Sequence, residues 1–294
     1  MLIARVLAET ATLAEKLDAA RAELDTHGWP VAMAETVVSG EDAIEILLPD
    51  GDPARVRAIL GQHFAPCDLL VSERPIAIPQ LLVSDMDSTM IGQECIDELA
   101  DFAGIKPQIA AITERAMQGE LDFQSALRER VALLRDLDES AIEQCLVERV
   151  RPMAGAKTLV ATLKSRGCKT VLVTGGFHAF ADSVAAELGF DRVVGNRLET
   201  ANGKLTGGLL GAITDSAVKA GVLAEEAAEL GAEAVTLAMG DGANDIPMLK
   251  AATFGIAYHA KPKAREAADG WIERGDLTAV LELLGIAKED WVRG

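Results

Sequence analysis

Two aspartates one residue apart end the apolar run in LLVSDMDSTM, residues 81–90. Residues two apart in an extended chain point to the same side, so the carboxylates of Asp85 and Asp87 would lie about 4 Å apart. At that separation two charges repel by roughly 4 kcal/mol at an effective dielectric of about 20. A divalent cation, or a proton on one carboxylate, would relieve the repulsion. The alternative is a helix N-cap, which explains one aspartate better than two.

A second acidic cluster lies in AMGDGANDIPML, where Asp241 follows another apolar run and Asp245 comes four residues later. Gly240 and Gly242 allow the backbone to approach a ligand closely. If both apolar runs are parallel strands, their carboxyl ends share one edge of a sheet, and Asp85 meets Asp241 there. Carboxylates and water are the oxygen ligands that Mg²⁺ prefers, so the pattern predicts a Mg²⁺ site. An acidic surface turn is the alternative.

Two further segments could bind an anion. The sequence TGG at 174–176 lies between a strand-like and a helical run, where free N–H groups and the helix dipole favour an anion, although such turns are common. Lys219 lies early in a helix that Asp215 or Ser216 could cap. A lysine opposes the dipole there, which suits a lysine held toward an anion; a surface lysine is the alternative.

Arg130 lies on an apolar helical face, whereas Arg128 and Arg135 lie off it. The apolar neighbours at helical spacing are Phe123, Ala126, Leu127, Leu133 and Leu134. An arginine on such a face either extends to solvent or binds an anion, and its planar fork suits a carboxylate. Glu94 begins the same helical region and is not distinguished from a solvated glutamate by its pattern.

A sheet must bring these residues together. From Leu81 onward the strand-like runs LLVSD, KTVLVT, RVVGN, AVTLAMGD and FGIAY alternate with helical stretches. This alternation predicts an α/β fold with a doubly wound, mainly parallel, Rossmann-like sheet, formed by residues 79–91 and 151–294. The pair Asn202-Gly203 predicts a hairpin. Residues 92–150 are helical and too long for a simple connection, so we expect an inserted helical cap over the ligand crevice.

Residues 1–75 have the order β-α-β-β-α-β, which predicts a ferredoxin-like α+β domain. Asp52 and Pro53 suit the start of its second helix, and Ser39-Gly40 suits a turn between two strands. This domain could sense an amino acid or hold a homodimer. The alternative is a stabilising appendage.

The net charge of −18 argues against nucleic acid and against an anionic membrane surface as partners, and any phosphate site must carry its own cations. The four cysteines are scattered, which favours reduced thiols in a cytosolic protein. The chain shows neither a signal-peptide pattern nor an apolar run of about 20 residues. We therefore expect a cytoplasmic protein that acts on a small molecule.

In this order, and over roughly residues 80–260, the motifs resemble those of the haloacid dehalogenase-like (HAD) hydrolases. DMDST resembles the first motif, DxDx(T/V); Thr174, Lys219 and GDGAND correspond to the second, third and fourth. Within the family, GQECIDELA, LDFQSALRERVALL and VTGGF are most similar to phosphoserine phosphatases. Many of those have serine where this chain has Thr174, so activity should survive and the extra methyl could alter rate or selectivity. Residues 1–75 are similar, less specifically, to ACT-like domains.

The resemblance implies Mg²⁺-dependent hydrolysis of O-phospho-L-serine, the last step of L-serine biosynthesis, through an aspartyl-phosphate. Asp85 would be the nucleophile, and Asp87 the acid and then the base. Mg²⁺ would bind Asp85, the backbone carbonyl of Asp87 and Asp241, while Asp245 would support the metal's waters or orient Lys219. Thr174, the Gly175 N–H and Lys219 would hold the phosphoryl oxygens. Contacts to the rest of the substrate would come from Glu94 (ammonium), Arg130 (carboxylate), Asn244 and Phe123.

Two alternatives remain from the sequence. A relative acting on another small phosphomonoester, such as a phosphosugar, would share every general motif. A receiver-type signalling module also uses acidic pairs, a Thr or Ser and a lysine on a doubly wound sheet. Receiver modules are shorter, their acidic pair is typically adjacent, and they lack a helical cap.

Overall fold

The computed structural model describes residues 1–37, 42–118 and 120–293. The strands are β1 (Leu2–Leu7), β2 (Met33–Thr36), β3 (Ala43–Leu48), β4 (Asp68–Ser72), β5 (Leu81–Ser84), β6 (Lys169–Phe177), β7 (Arg192–Ala201), β8 (Lys204–Leu210), β9 (Thr236–Gly240), β10 (Phe254–Tyr258) and β11 (Gly270–Ile272). The helices are α1 (Leu13–Thr26), α2 (Pro53–Phe64), α3 (Cys95–Phe102), α4 (Lys106–Met117), α5 (Phe123–Ala132), α6 (Ser140–Glu148), α7 (Ala156–Ser165), α8 (His178–Leu188), α9 (Ser216–Leu230), α10 (Ile246–Ala251), α11 (Pro262–Ala267) and α12 (Ala279–Leu283).

The N-terminal unit has the ferredoxin-like arrangement that its element order predicts. Its strands lie in the order β2-β3-β1-β4 and pair antiparallel, and α1 and α2 pack together, with α2 against β1 and β4. Asp52 caps α2 by accepting the Arg55 N–H at 2.8 Å, and Pro53 is the first helical residue, as expected. The turn predicted at Ser39-Gly40 lies outside the described residues. The specific likeness to ACT-like domains stays a prediction.

The predicted doubly wound sheet forms the centre of the molecule. Strands β10, β9, β5, β6 and β7 are neighbours and pair in parallel, and β5 and β9 are buried at every residue, as parallel strands covered on both faces must be. The hairpin predicted at Asn202-Gly203 joins β7 to β8, and both turn residues have positive φ, 54° and 74°. The fold class inferred from the sequence is therefore confirmed.

The helical stretch between β5 and β6 contains α3, α4, α5 and α6, and we call these four helices the cap. The cap follows the carboxyl end of β5, where the chain leaves the sheet. Helix α7 then returns the chain to β6. The limits given above for the three domains remain predictions. Across the described residues, every helix is too short or too polar to span a bilayer.

One strand was not expected from the sequence. The three-residue β11 pairs in parallel with β10 and antiparallel with β4, so the N-terminal sheet continues into the central sheet as one sheet of eleven described strands. Trp271, at the middle of β11, donates its indole N–H to the Cys67 carbonyl at 3.1 Å. The same ring lies on Gly61 of α2, where an added Cβ would come within 2.6 Å of it. The two units therefore share a sheet and an aromatic contact.

Candidate active site

A cavity of about 200 Å³ lies between the carboxyl ends of the central strands and the cap. Its lining is formed by Asp85, Asp87, Glu94, Ile96, Phe123, Leu127, Arg130, Thr174, Gly175, Gly176, Phe177, Asp241, Asn244 and Lys261. Of the eleven residues to which the sequence analysis assigned a role in the site, nine line this cavity. The other two, Lys219 and Asp245, are buried behind it in contact with Asp85 or with each other. The fold thus brings the whole predicted set to one place.

The first aspartate pair does not cap a helix. Strand β5 ends at Ser84, and the Asp85 N–H continues the pairing by donating to the Met239 carbonyl at 2.9 Å. The chain then turns, so the extended geometry assumed for the pair ends here, yet both carboxylates still reach the cavity. Helix α3 begins only at Cys95. The N-cap alternative for Asp85 and Asp87 is therefore wrong.

Lys219 lies between two carboxylates. Its Nζ is 2.8 Å from Asp85 Oδ1 and 2.7 Å from Asp245 Oδ1, and the side chain is 1% exposed. Burial alone would lower the pKa of Lys219, but the carboxylates of Asp85 and Asp245 raise it above its ordinary value. Asp215 caps the helix that carries it, accepting the Ala217 N–H at 3.0 Å. Lys219 is therefore a fixed, charged donor directed at Asp85.

Three buried carboxylates converge beside this lysine. Oxygen atoms of Asp85, Asp241 and Asp245 lie within 4.8 Å of one another. Burial raises the pKa of Asp241, and burial and Asp245 raise that of Asp85 while Lys219 acts in the opposite direction. Burying three negatively charged carboxylates so close together costs free energy, and a bound cation would offset that cost. Carboxylate oxygens are the ligands that hard divalent cations prefer, so this cluster fits a divalent cation.

Asp245 already has partners on both oxygens. Its Oδ1 contacts Lys219, and its Oδ2 accepts the Gly242 N–H at 3.0 Å. Gly240 is required beside it, because an added Cβ there would come within 2.4 Å of the Asp245 carboxyl carbon. These contacts fix the carboxylate that orients Lys219.

The carboxylate of Asp87 has a different environment. The backbone N–H and the thiol of Cys95 hydrogen-bond to it, whereas its Oδ1 is buried without a hydrogen-bond partner in the part of the chain that the structure describes. Burial, followed by the Glu94 carboxylate, raises the pKa of Asp87 to about 7. A carboxyl group with such a pKa can give and take a proton near neutral pH.

The segment predicted to bind phosphate forms the last residues of β6. The Gly176 N–H donates to Thr174 Oγ1 at 2.8 Å. An added Cβ at Gly176 would lie 3.1 Å from Asp87 Oδ2, and one at Gly175 would lie 3.0 Å from the Phe123 ring. The glycines therefore let this backbone approach both Asp87 and the cap.

The methyl of Thr174 packs beside Gly195 of β7. An added Cβ at Gly195 would lie only 3.1 Å from that methyl, so Gly195 leaves the room that threonine needs. The space beside Gly195 of β7 therefore accommodates the extra methyl group that Thr174 has in comparison with the commoner serine.

The cap contributes the groups expected at the far side of the cavity. Glu94 Oε1 accepts the Ser88 hydroxyl at 2.9 Å, and burial raises the pKa of Glu94. Burial lowers the pKa of Arg130, although Asp97 and Glu94 oppose that shift. Helix α5 ends at Ala132, so the apolar face predicted around Arg130 is only partly right: Leu133 lies beyond the helix and is 41% exposed.

Two residues near the site were missed from the sequence. Lys261, which follows β10, places its Nζ 3.3 Å from Asp241 Oδ2 and lines the cavity. Asn196 is buried in β7 and hydrogen-bonds to the Gly175 carbonyl at 2.7 Å. The sequence feature that could have indicated Asn196 is an amide side chain within the apolar run RVVGN. For Lys261, that feature is its position just after the strand-like run FGIAY.

The chain matches known protein families over most of its length. A family model described as haloacid dehalogenase-like hydrolase matches residues 82–250, and a second model of the same description matches residues 231–284. A phosphoserine phosphatase from Streptococcus thermophilus is 49% identical over 205 residues, which cover 69% of this chain and 95% of that relative.

Solved structures agree with this family match. A probable phosphoserine phosphatase from Vibrio cholerae, in an unliganded form, superposes with a TM-score of 0.75 at 34% identity and covers 98% of this chain and 87% of its own. A phosphoserine phosphatase solved as an analogue of its phospho-aspartyl intermediate superposes with a TM-score of 0.64 at 39% identity, over 69% of this chain and 98% of its own. The match to the first structure includes the N-terminal unit.

Proposed function

Because the chain belongs to the haloacid dehalogenase-like hydrolase family, we propose that it hydrolyses O-phospho-L-serine to L-serine and phosphate. The observation that carries the proposal is one cavity with two chemically distinct ends. Asp85, Asp87 and Thr174 line the sheet end, and Glu94 and Arg130 line the cap end. A phosphoryl group fits the first end, and the opposite charges of an amino acid fit the second.

The cation in this proposal is Mg²⁺. Asp85, Asp241 and the backbone carbonyl of Asp87 would hold it, which leaves Asp245 to orient Lys219. Mg²⁺ bound there would offset the charge of the phosphoryl oxygens, which is the general role of a divalent cation in phosphoryl transfer.

In the first step, a carboxylate oxygen of Asp85 attacks phosphorus. The bond between phosphorus and the serine oxygen breaks, and Asp87 gives its proton to that oxygen, so L-serine leaves and an aspartyl-phosphate remains. Lys219, charged and 2.8 Å from the nucleophile, would balance the developing negative charge together with the Thr174 hydroxyl and the Gly175 N–H.

In the second step, Asp87 takes a proton from a water molecule, whose oxygen attacks phosphorus. The bond between phosphorus and the Asp85 oxygen then breaks, which regenerates the carboxylate and releases phosphate. The pKa of about 7 lets Asp87 serve as acid in the first step and as base in the second.

The substrate's amino-acid part would lie under the cap. Glu94 would accept the ammonium group, Arg130 would bind the carboxylate through its planar fork, and Asn244 would add a polar contact. Phe123, whose ring lies against Gly175, would exclude water when the substrate is bound.

The proposed setting is the cytoplasm, as the last step of L-serine biosynthesis. For the N-terminal unit we propose amino-acid sensing or a homodimer contact. Inhibition by serine and the oligomer mass, both measured on the full-length protein, test the two roles.

Phosphate release from O-phospho-L-serine, O-phospho-L-threonine and glucose 6-phosphate, each with Mg²⁺ and with EDTA, tests the proposed activity. We expect turnover of phosphoserine above the others, its loss with EDTA, and its loss in Asp85→Asn. A preference for the sugar phosphate would reject the amino-acid substrate. A single stoichiometric phosphorylation without turnover would reject a phosphatase in favour of a receiver-like role.

A further inference from the structure

Asn196 contacts the backbone next to both phosphate-binding elements although it does not line the cavity. Its side-chain Nδ2 donates to the Gly175 carbonyl at 2.7 Å, and its Oδ1 accepts the Thr214 N–H at 2.9 Å. The residue is 2% exposed. Only one orientation of the amide satisfies both partners, because the carbonyl can only accept and the N–H can only donate.

The first contact lies where the pairing of β6 with β7 is irregular. Val173 pairs with Val194 and Phe177 pairs with Asn196, so β6 advances four residues (173 to 177) while β7 advances two (194 to 196). The extra chain is the segment that carries Thr174 and Gly175. A bulge leaves backbone groups without a ladder partner, and the Asn196 amide supplies one for the Gly175 carbonyl.

The second contact lies at the start of α9. Thr214 directly precedes Asp215, whose Oδ1 accepts the N–H groups of Ala217 and Val218 at 3.0 and 3.1 Å. Lys219 follows in the first turns of that helix. A bond to the Thr214 N–H therefore fixes where the helix begins, and so where the Lys219 ammonium stands relative to Asp85.

We propose that Asn196 is a positioning residue that sets the distance between the Gly175 N–H and the Lys219 ammonium, two of the three donors to the transferring phosphoryl group. The inference rests on the proposed function. Without this amide, the bulge of β6 and the start of α9 are free to shift separately. A misplacement of about 1 Å at a reacting centre can cost about 100-fold in rate.

The test uses two substitutions of Asn196 and one matched control. Asn196→Leu removes both hydrogen bonds, and the isosteric Asn196→Asp keeps the acceptor for Thr214 while losing the donor to Gly175. The control is Thr170→Val on the same strand β6, where the buried hydroxyl bonds to Asp191 at the opposite end of the strand. All three variants lose buried hydrogen bonds, but only the two Asn196 variants lose them beside the proposed phosphate site.

Three quantities are measured in the full-length protein with saturating Mg²⁺. They are the melting temperature, the Kd for inorganic phosphate by titration calorimetry, and kcat/KM for phosphoserine and for p-nitrophenyl phosphate. We expect both Asn196 variants to bind phosphate more weakly and to lose about 100-fold in kcat/KM on both substrates alike. Thr170→Val should lower the melting temperature and leave phosphate binding and kcat/KM as in the wild type.

The inference is overturned if the Asn196 variants bind phosphate as tightly as the wild type, or if their loss is confined to phosphoserine. The inference is also overturned if the Asn196 variants lose no more kcat/KM than Thr170→Val does at the same melting temperature. Asn196 would then only stabilise the fold. If Asn196→Leu does not fold, Asn196→Asp decides. A wild type that binds phosphate but does not hydrolyse phosphoserine would reject the proposed substrate and leave the phosphate-binding comparison valid.

Discussion

Gln124 donates its side-chain N–H to Asp215 Oδ2 at 2.9 Å, so one hydrogen bond joins the cap to the residue that starts the Lys219 helix. The neighbouring Phe123 ring lies against Gly175. The pKa of Asp215 lies below its ordinary value, first because of the bond from Gln124 and then because of the Val218 N–H. The hydrogen bond from Gln124 to Asp215 is therefore one of the contacts that tie the cap to the phosphate end of the cavity.

Gln124→Ala should raise KM for phosphoserine by about 5-fold, the equivalent of about 1 kcal/mol, because the closed cap becomes less populated. Gln124→Glu should raise KM further, since two carboxylates then face each other. Gln118→Ala is the control, because that amide is also exposed and bonds Glu114, but within the cap. In Gln124→Ala the pKa of Asp215, followed by NMR, should rise toward its ordinary value. An unchanged KM in both Gln124 variants would contradict the role.

Arg130→Ala should lower kcat/KM for phosphoserine by about 100-fold, because the carboxylate of the bound substrate would be buried without its charged partner. Hydrolysis of p-nitrophenyl phosphate, which has no carboxylate at that position, should be nearly unchanged. Arg128→Ala on the same helix is exposed and serves as the control. Equal losses on both substrates would instead indicate a damaged cap.

Thr174→Val should lower kcat/KM for every phosphoester by about 100-fold or more, because one donor to the phosphoryl oxygens is lost. Thr174→Ser keeps the hydroxyl and should retain most activity, while the missing methyl beside Gly195 should cost about 1 kcal/mol in the free energy of unfolding. Kinetics and denaturant unfolding of the two variants separate these effects. Equal activities of the Thr174→Val and Thr174→Ser variants would exclude a role for the hydroxyl.

The pH dependence of kcat/KM should report the loss of the proton from the carboxyl group of Asp87. Its pKa is raised to about 7, so the protonated form that serves the leaving group declines as the pH rises through that value. For phosphoserine, kcat/KM should therefore fall on the alkaline side. For p-nitrophenyl phosphate, whose leaving group needs no proton, the alkaline fall should be absent. The same alkaline fall on both substrates would assign it to another group.

Mg²⁺ should raise the melting temperature, because it binds the folded carboxylate cluster and offsets its repulsion. At 100 times Kd the expected stabilisation is about 2.7 kcal/mol. Asp241→Asn should lose most of this effect. Asp191→Asn, at the opposite end of the sheet beside Thr170, should keep it. An equal shift in both variants would place the cation elsewhere.

The sequence anticipated the parts of the fold that depend on local pattern. Buried parallel strands such as β5 and β9 read as continuous apolar runs, and the hairpin at Asn202-Gly203 follows from turn chemistry. Strand β11 could not be predicted in this way. Its three residues form a strand because β10 and β4 offer partners on both sides, which is a property of the folded molecule.

The site shows the same division. Asp85, Asp241 and Lys219 could be named in advance because strand ends of a parallel sheet converge and because the motifs resemble a known family. Asn196 could not, since its role depends on a bulge in β6 and on the position of Thr214, eighteen residues further along the chain. The N-cap alternative failed because the chain makes a turn after Asp85 before α3 begins.

The pairing of β4 with β11 has a consequence for any attempt to make a smaller enzyme. Cutting the chain before Leu81 would strip β11 of its outer neighbour and leave unpaired N–H and C=O groups, with Trp271 uncovered beside them. Strands of other molecules can pair with such an exposed edge, so a truncated protein should aggregate. A replacement segment that carries charged residues or proline and covers this edge should prevent the aggregation. Strand β4, within the first 72 residues, therefore covers an edge of the central sheet that would otherwise be open to pairing with another copy of the chain.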